Sequence, residues 1–267
     1  MIYYETHEKL EGESLSLMRR SCKLAASTLN MLSSHIVPGI STEEINTLAH
    51  LWITGNGAWP SPLNYGNPPF PKSVCTSVND CICHGIPGDR ILNDGDIVNV
   101  DVTTYYPRNN GFHGDTSVTF MVGKVTPEVE KLVKVTQECL DLAISTVKEG
   151  SFLWDIGSAI QEHAESNGFS VVKDYVGHGV GSRFHMAPTV LHYSPDSFMD
   201  GGDTRNIRLE EGMIFTIEPM INMGSNMCNP PLSDGWTVMT HDGKYSAQFE
   251  HTVRVTSDGC EVLTSRE

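Results

Sequence analysis

Apolar and polar residues alternate along three short stretches of the chain, and an acidic residue lies within each of them. In the segment 97–103 the valines share one face, and Asp101 points to the other. The same alternation surrounds Glu218 in the segment 213–218 and returns around Glu250 in the segment 248–253. The pattern predicts that sheet strands, rather than solvated loops, carry these acids.

Helical periodicity predicts two long helices, each followed by a shorter one. The first long helix covers about 12–34 and ends at Pro38-Gly39; the second opens at Thr126-Pro127, a cap residue before a proline, and closes at Gly150. A capping box at 41–44 starts the first short helix. Its predicted buried stripe is Ile45, Leu48, Ala49 and Trp52, and part of the pattern recurs at Asp155, Ile156 and Ile160.

The order of these elements is duplicated. When Gly39 is aligned with Gly150, both halves run from long helix to glycine turn, short helix and strands. We therefore predict one domain over residues 1–267, built from two similar halves at about 12–125 and 126–255 that share a sheet. The proline-rich stretch 59–71 also contains aromatic residues, so we expect an ordered loop there rather than a linker.

Composition and charge exclude several classes of partner. The net charge is −15 and no basic cluster is longer than Arg19-Arg20, so we expect neither nucleic acid nor a membrane as a partner. No apolar run could span a bilayer and the N-terminus lacks a signal-peptide layout, which indicates a cytoplasmic protein. The seven scattered cysteines do not form a disulfide framework. A zinc cluster is also disfavoured, because one short strand could not aim all of its candidate ligands inward: Cys75, Cys81, Cys83 and His84.

Five polar residues in otherwise apolar strand-like runs could together form a two-metal site: Asp101, Asp115, His178, Glu218 and Glu250. Any one acid alone would be expected at the surface, since carboxylates are rarely buried unpaired. Converging carboxylates would repel one another and take up protons unless a cation keeps them ionised. Oxygen ligands with one imidazole are unlike a thiolate zinc site, and they leave Mn, Fe, Co or Zn as candidates.

Five ordered motifs resemble those of the type I methionine aminopeptidases. They are CHGIPG at 83–88, GFHGDT at 111–116, GHGVG at 177–181, FTIEPM at 215–220 and SAQFEHT at 246–252. The resemblance extends from the first long helix to Val255. It implies an α+β pita-bread fold, with two pseudo-symmetric halves and helices packed around a curved antiparallel sheet. It also implies hydrolytic removal of the N-terminal methionine from peptides and nascent chains that have a small second residue.

The same resemblance implies a ligand set for two divalent metals. Asp101 would hold one metal, His178 and Glu218 would hold the other, and Asp115 and Glu250 would bridge both. A water activated between the metals would be the nucleophile. Glu218 would also carry the proton to the departing amine.

Residues outside the metal shell also match family positions. His84 would contact the substrate near the scissile amide, and His185 would hydrogen-bond its carbonyl oxygen. Aromatic walls and a thiol suited to a thioether side chain would come from Tyr65, Phe70, Cys75, Phe184 and Trp236. A monovalent cation, Na or K, would be held by Asn79, Cys81 and Ser246.

Three segments depart from compact family members. The segment 105–110 suggests an extended hairpin tip that leaves the ligands in place, and the loop 65–71 is longer, which weakens the assignment of Phe70. The polar insertion 195–207 is far shorter than the helical insertion of type II enzymes. The cysteine-rich N-terminal extension of eukaryotic type I enzymes is missing, so ribosome docking through it is not expected. A transient ribosome contact and a monomeric state remain what the family implies.

Two other classes would keep parts of this pattern. A proline-directed peptidase such as aminopeptidase P or prolidase uses the same five ligands but normally carries a large additional N-terminal domain. An aminopeptidase of the same fold with relaxed specificity is a further alternative. A non-catalytic binding protein of this fold would usually have lost metal ligands, whereas all five candidates are present.

Overall fold

The computed structural model describes residues 8–195 and 206–266 and contains four α-helices within that range. α1 spans Gly12–Ser33, α2 Thr42–Gly55, α3 Pro127–Thr146 and α4 Leu153–Ser166. All four were predicted from the sequence. The end predicted for α3, at Gly150, is wrong, because Val147 already has an extended backbone. The hydroxyl of Ser151 donates to the carbonyl of Thr146 at 2.9 Å and so satisfies the helix end.

The capping box of α2 is formed as predicted, but two residues of its predicted buried stripe are not buried, since Leu48 is half-buried and Trp52 is exposed. The Ser41 hydroxyl accepts from the Glu44 amide, and the Glu44 carboxylate accepts from the Ser41 amide. Ile45 and Ala49 are buried, whereas Trp52 is 39 % exposed. Its indole N–H reaches the hydroxyl of Ser27 at 3.4 Å, so the ring lies along the flank of α1 rather than beneath α2.

A nine-stranded antiparallel sheet forms the body of the described structure. Its main path runs β1 (Trp59–Pro60), β4 (Ile97–Tyr106), β5 (Phe112–Met121), β13 (Glu250–Val255), β9 (Ile214–Ile217), β7 (Gly177–Gly179) and β8 (Met186–Val190). β2 (Cys75–Val78) pairs with β4, and β14 (Cys260–Val262) pairs with β13. The remaining strands, in two small sheets, are β3 (Cys81–Cys83), β6 (Ser170–Val171), β10 (Met220–Asn222), β11 (Val238–Met239) and β12 (Ser246–Gln248).

Apolar residues on the sheet pack against the two helix pairs in two separate clusters. α1 and α2 cover one cluster with Leu29 and Ile45, against the three valines of β4. α3 and α4 cover the other with Leu140 and Ile160, against β9 and β13. The expected α+β architecture, helices packed around a curled antiparallel sheet, is confirmed.

The hairpin tip between β4 and β5 contacts the end of α2. Arg108 donates to the carbonyls of Ala58 and Thr54, at 2.9 and 3.0 Å. Asp101 and Asp115 remain within β4 and β5, so the longer tip leaves both acids in regular strands. The insertion 195–207 falls almost entirely outside the described residues. Within them, no helix is long and apolar enough to cross a membrane.

Candidate metal centre and substrate pocket

The register of the sheet places three acids on one of its faces. Asp101 on β4 pairs with Ser117 on β5, and Ser117 in turn pairs with Glu250 on β13. Asp115 lies two residues before Ser117 on β5, so its side chain points to the same face. Three strands therefore bring Asp101, Asp115 and Glu250 together, although the first two are distant in sequence from the third.

The remaining two candidate ligands come from the neighbouring strands of the same sheet. Glu218 directly follows β9, whose last residue pairs with the residue after Glu250, so Glu218 lies level with Glu250. His178 is the middle residue of β7, which pairs with β9 on its other side. The prediction that strands carry the ligands holds for four of them, while Glu218 lies at a strand end.

All five candidate ligands line one cavity, and three of them form its tightest group. One ligand atom each from Asp115, His178 and Glu250 lie within 4.8 Å of one another. The Nε2 atom of His178 is 3.8 Å from Oδ2 of Asp115 and 3.6 Å from Oε1 of Glu218. Asp101 lies outside this group but lines the same cavity, and its Oδ1 atom is buried with no hydrogen-bond partner among the residues that the structure describes.

Backbone contacts orient the imidazole of His178 towards the acids. Its Nδ1 atom lies 3.0 Å from the carbonyl oxygen of Gly179. A carbonyl can only accept, so Nδ1 carries the hydrogen and Nε2 presents its lone pair to Asp115 and Glu218. A lone pair so aimed is what a metal-binding histidine needs.

Burial perturbs every titratable group of the centre. It raises the pKa of Asp101 to about 7 and that of Glu218 to about 8, where hydrogen bonds from Thr216 and Gln248 oppose the rise. The pKa values of Asp115 and Glu250 are raised well above their usual range by burial and by the neighbouring acids. Burial lowers the pKa of His178 to about 4, so its imidazole is neutral at physiological pH.

The donor atoms of these five residues fit bound divalent cations. Four buried carboxyl groups can be ionised together only if positive charge offsets their repulsion. The neutral, oriented imidazole and the unpartnered oxygen of Asp101 offer donor atoms that no protein group satisfies. The residues present therefore fit hard or borderline divalent ions held by oxygen with one nitrogen.

An aromatic cavity of about 260 Å³ opens directly over the acids. All five residues expected to form a side-chain pocket line it, and they are Tyr65, Phe70, Cys75, Phe184 and Trp236. Tyr65 packs on Phe184 with ring centroids 4.8 Å apart, and Phe70 meets Trp236 edge-on at 5.3 Å. Phe70 is only 2 % exposed, so the longer loop has not displaced it from the wall.

Two further histidines, His84 and His185, line the cavity beside the acids. Nδ1 of His185 lies 2.8 Å from the hydroxyl of Tyr65, which leaves Nε2 free of that contact. Burial, together with the nearby His178 and His84, lowers the pKa of His185 to about 3. His84 packs edge-on against Trp236, and burial lowers its pKa to about 4. Both imidazoles are therefore neutral near pH 7.

The three residues expected to hold a monovalent cation lie outside this cavity lining, near β3 and β12. The Ser246 amide donates to the carbonyl of Asn79 at 2.8 Å. The side-chain amide of Asn79 donates to Asp96 and its side-chain oxygen accepts from the amide of Ile97. Within the described residues, the hydroxyl of Ser246 is buried without a hydrogen-bond partner.

Sequence reasoning did not single out several groups that the structure places around the ligands. Thr103 donates to Oδ1 of Asp115 at 2.7 Å, and Thr216 and Gln248 donate to the two carboxylate oxygens of Glu218. The strand alternation could have identified Thr103 and Thr216, which lie two residues from Asp101 and Glu218 and therefore on the same face.

All seven cysteines are free thiols. In the described part of the chain, no three of the disfavoured zinc candidates bring ligand atoms within 4.8 Å of one another: Cys75, Cys81, Cys83 and His84.

Comparisons with known proteins agree with this geometry. Residues 16–257 match the model of metallopeptidase family M24. The chain is 51 % identical over 264 residues to methionine aminopeptidase A of Synechocystis, covering 98 % of this chain and 99 % of that protein. The crystal structure of methionine aminopeptidase from Rickettsia prowazekii superposes with a TM-score of 0.90 at 43 % identity, covering 97 % of this chain and all of that one. Prolidase from Pyrococcus furiosus, with a TM-score of 0.73 at 20 % identity over 97 % of this chain and 66 % of its own length, shares the fold alone.

Proposed function

The chain belongs to the methionine aminopeptidases of metallopeptidase family M24, and we propose that it uses two divalent metals to process nascent chains that have a small second residue. It is a metal-dependent enzyme that removes the N-terminal methionine from peptides. The family and the pita-bread fold predicted from the motifs are thus confirmed. The observation that carries the proposal is the convergence of His178 and four acids at the floor of an aromatic cavity.

We assign the two metals to the five residues in the roles that the motifs imply. Asp101 would hold one ion, His178 and Glu218 would hold the other, and Asp115 and Glu250 would be shared. Divalent ions bound there supply Lewis-acid polarisation of the scissile carbonyl and lower the pKa of the attacking water. The raised carboxyl pKa values and the orientation of the imidazole support this assignment.

The aromatic cavity takes the methionine side chain. Its walls bury an unbranched thioether between the rings of Tyr65, Phe184 and Trp236, where sulfur makes favourable contacts with aromatic edges. The thiol of Cys75 lies on β2 beside Asp101, its pairing partner on β4, so the pocket adjoins the metal ligands. This adjacency positions the peptide bond after methionine next to the acids.

The cavity histidines and one acid then act on the peptide bond itself. His185, neutral and held at Nδ1 by Tyr65, donates from Nε2 to the carbonyl oxygen as negative charge develops on it. His84 contacts the substrate near the scissile amide. Glu218, whose pKa lies near 8 in the metal-free protein, moves the proton to the departing amine.

We also propose that the chain binds one monovalent cation, Na or K. The carbonyl of Asn79 and the unpartnered hydroxyl of Ser246 support a site there, with Cys81 as the third predicted contributor. We take the chain as one catalytic domain that acts as a monomer. A cytoplasmic setting and a transient ribosome contact stay predictions of the sequence.

Peptides Met-X-Ser with X as Gly, Ala, Ser, Val or Leu test the substrate preference. We expect free methionine from the peptides with Gly, Ala and Ser, and little from the peptide with Leu, because the second residue must fit beside the histidines that line the cavity. Equal release from all five would contradict the small-residue preference and favour a relaxed-specificity aminopeptidase. Release of leucine from Leu-Ala-Ser at the rate of methionine would contradict the assignment of the pocket.

A further inference from the structure

A buried threonine, Thr216, connects two of the candidate metal ligands, His178 and Glu218. Thr216 on β9 is fully buried. Its hydroxyl lies 2.8 Å from Oε1 of Glu218 and 2.9 Å from the backbone nitrogen of His178. The contact therefore spans two strands, β9 and β7, and joins a side chain on one to the backbone of the other.

The direction of both hydrogen bonds is fixed by the atoms involved. The backbone N–H of His178 can only donate, so the hydroxyl oxygen of Thr216 accepts from it. The single hydroxyl hydrogen of Thr216 is then available for Oε1 of Glu218. The other carboxylate oxygen of Glu218 accepts from the amide of Gln248 at 3.2 Å. Both oxygens of Glu218 are thus held in place, and one of them is held by the group that also holds His178.

The acids on the opposite side of the centre are supported separately. Within the described residues, Oδ1 of Asp101 is buried without a hydrogen-bond partner, and Thr103 donates to Oδ1 of Asp115 at 2.7 Å. Thr216 differs from Thr103 because its hydroxyl contacts two candidate ligands, His178 and Glu218, whose facing atoms lie 3.6 Å apart.

We propose that Thr216 is a positioning residue, which fixes His178 and Glu218 relative to each other and so sets the affinity of the metal that these two residues hold. The inference rests on the ligand assignment of the proposed function. Thr216 does not itself line the cavity, so it acts through the two ligands. Hydrogen-bonding groups behind metal ligands typically change metal affinity by about 10–100-fold when removed.

Two substitutions separate the hydroxyl from the packing of the side chain. Thr216→Val keeps the branched shape and β-propensity but removes the hydroxyl, whereas Thr216→Ser keeps the hydroxyl and removes the methyl group. We expect the Val variant to bind Mn²⁺ about 10–100-fold more weakly, measured by calorimetric titration of metal-free protein. The Ser variant should stay within about threefold of the unsubstituted protein, because its hydroxyl can make the same two hydrogen bonds.

The visible absorption of the Co²⁺-loaded protein gives a readout other than activity. We expect the Val variant to shift the d–d bands, since the arrangement of His178 and Glu218 changes, and we expect the Ser variant to preserve them. Thr136→Val is the matched control: Thr136 is equally buried, but its hydroxyl donates within α3 to the carbonyl of Leu132. That variant should bind and absorb as the unsubstituted protein does.

The outcomes distinguish this inference from the proposed function. Glu218→Ala and His178→Ala must weaken metal binding if the ligand assignment is right, and unchanged affinity in both would overturn that assignment. If they weaken it but Thr216→Val binds normally, the role of Thr216 is refuted while the function stands. Equal losses in the Val and Ser variants would also refute it, because packing rather than the hydroxyl would be responsible. Should Thr216→Val fail to fold, Thr216→Ala compared with Thr216→Ser isolates the same oxygen atom.

Discussion

Removing the divalent metals should make the fold lose stability as pH rises from about 6.5 to about 8. A carboxyl group whose pKa is higher in the folded than in the unfolded protein binds more protons when folded. Its contribution to stability is present at low pH and is lost as pH rises through the folded pKa. Asp101, with a pKa of about 7, and Glu218, with a pKa of about 8, both titrate across this window.

The size of the loss follows from those two values. Each pKa unit corresponds to about 1.4 kcal/mol, and both acids are fully ionised in the unfolded chain above about pH 6. Over the window, Asp101 then accounts for about 1 kcal/mol and Glu218 for about 2 kcal/mol of lost stability, and Asp115 and Glu250, whose pKa values are raised well above their usual range, add to that loss. Buried histidines act with the opposite sign, since their pKa values are lowered, to about 4 for His178 and about 3 for His185. Most of their effect lies below the ordinary histidine pKa of about 6.5, and only about 0.4 kcal/mol per histidine remains for the window.

Urea unfolding followed by circular dichroism measures this dependence directly. Protein dialysed against a chelator should lose at least about 2–3 kcal/mol of unfolding free energy across the window, whereas Mn²⁺-loaded protein should not, because bound metal keeps the acids ionised throughout. Glu218→Gln in the metal-free protein should make the slope smaller, since one of the four contributing acids is removed. A metal-free stability that is constant or rises with pH would refute the electrostatic account of the centre.

Four further substitutions test three separate parts of the site. Asp115→Ala or Glu250→Ala should abolish turnover and weaken the binding of both metals, with a loss of metal affinity beyond the ~10–100-fold typical of groups that only support ligands. Metal analysis and a peptide assay measure these effects. Retained activity with unchanged metal content would contradict the bridging role. Cys75→Leu should raise KM for methionine peptides about tenfold by filling the pocket, with metal binding unchanged. Gly66→Ala should raise KM and lower Tm, because its Cβ would lie 2.5 Å from the ring of Trp236 and its backbone φ is +78°.

Glycine at another loop position provides the control for the last substitution. Gly88 has no atom within 4 Å of the position that a Cβ would occupy. Gly88→Ala should therefore leave KM and Tm unchanged. If Gly66→Ala behaves like Gly88→Ala, the ring of Trp236 is not fixed against the loop. Loss of metal from the Cys75 variant would likewise contradict its place in the pocket.

The sequence predicted the chemistry of the site well because strand alternation and ligand chemistry are local properties. Asp101 falls opposite the valines of β4, and this was visible from a seven-residue segment. Which acids meet depends on register, such as the pairing of Ser117 with both Asp101 and Glu250, and no local pattern encodes such a pairing. The motifs supplied that long-range information.

Side-chain partners and helix ends were less accessible to sequence reasoning. Trp52 has the spacing of a buried helix residue, yet its polar indole nitrogen reaches Ser27 at the surface. The end of α3 at Thr146 depends on a hydroxyl five residues later in the chain, that of Ser151. The role of Thr216 required the position of β7, because its second partner is the backbone of His178. For Trp52 and Thr216 a tertiary contact outweighs the local preference.

The central claim is that metal held by these five residues drives the release of methionine. The most direct measurement is the amino acid released from a Met-Ala peptide and from an Ala-Pro peptide by protein stripped of metal and then titrated with Mn²⁺ or Co²⁺. We expect free methionine from the Met-Ala peptide alone, rising with added metal. Cleavage of the Ala-Pro peptide would place the chain with the proline-directed peptidases, and no release from either peptide despite bound metal would contradict catalysis at this site.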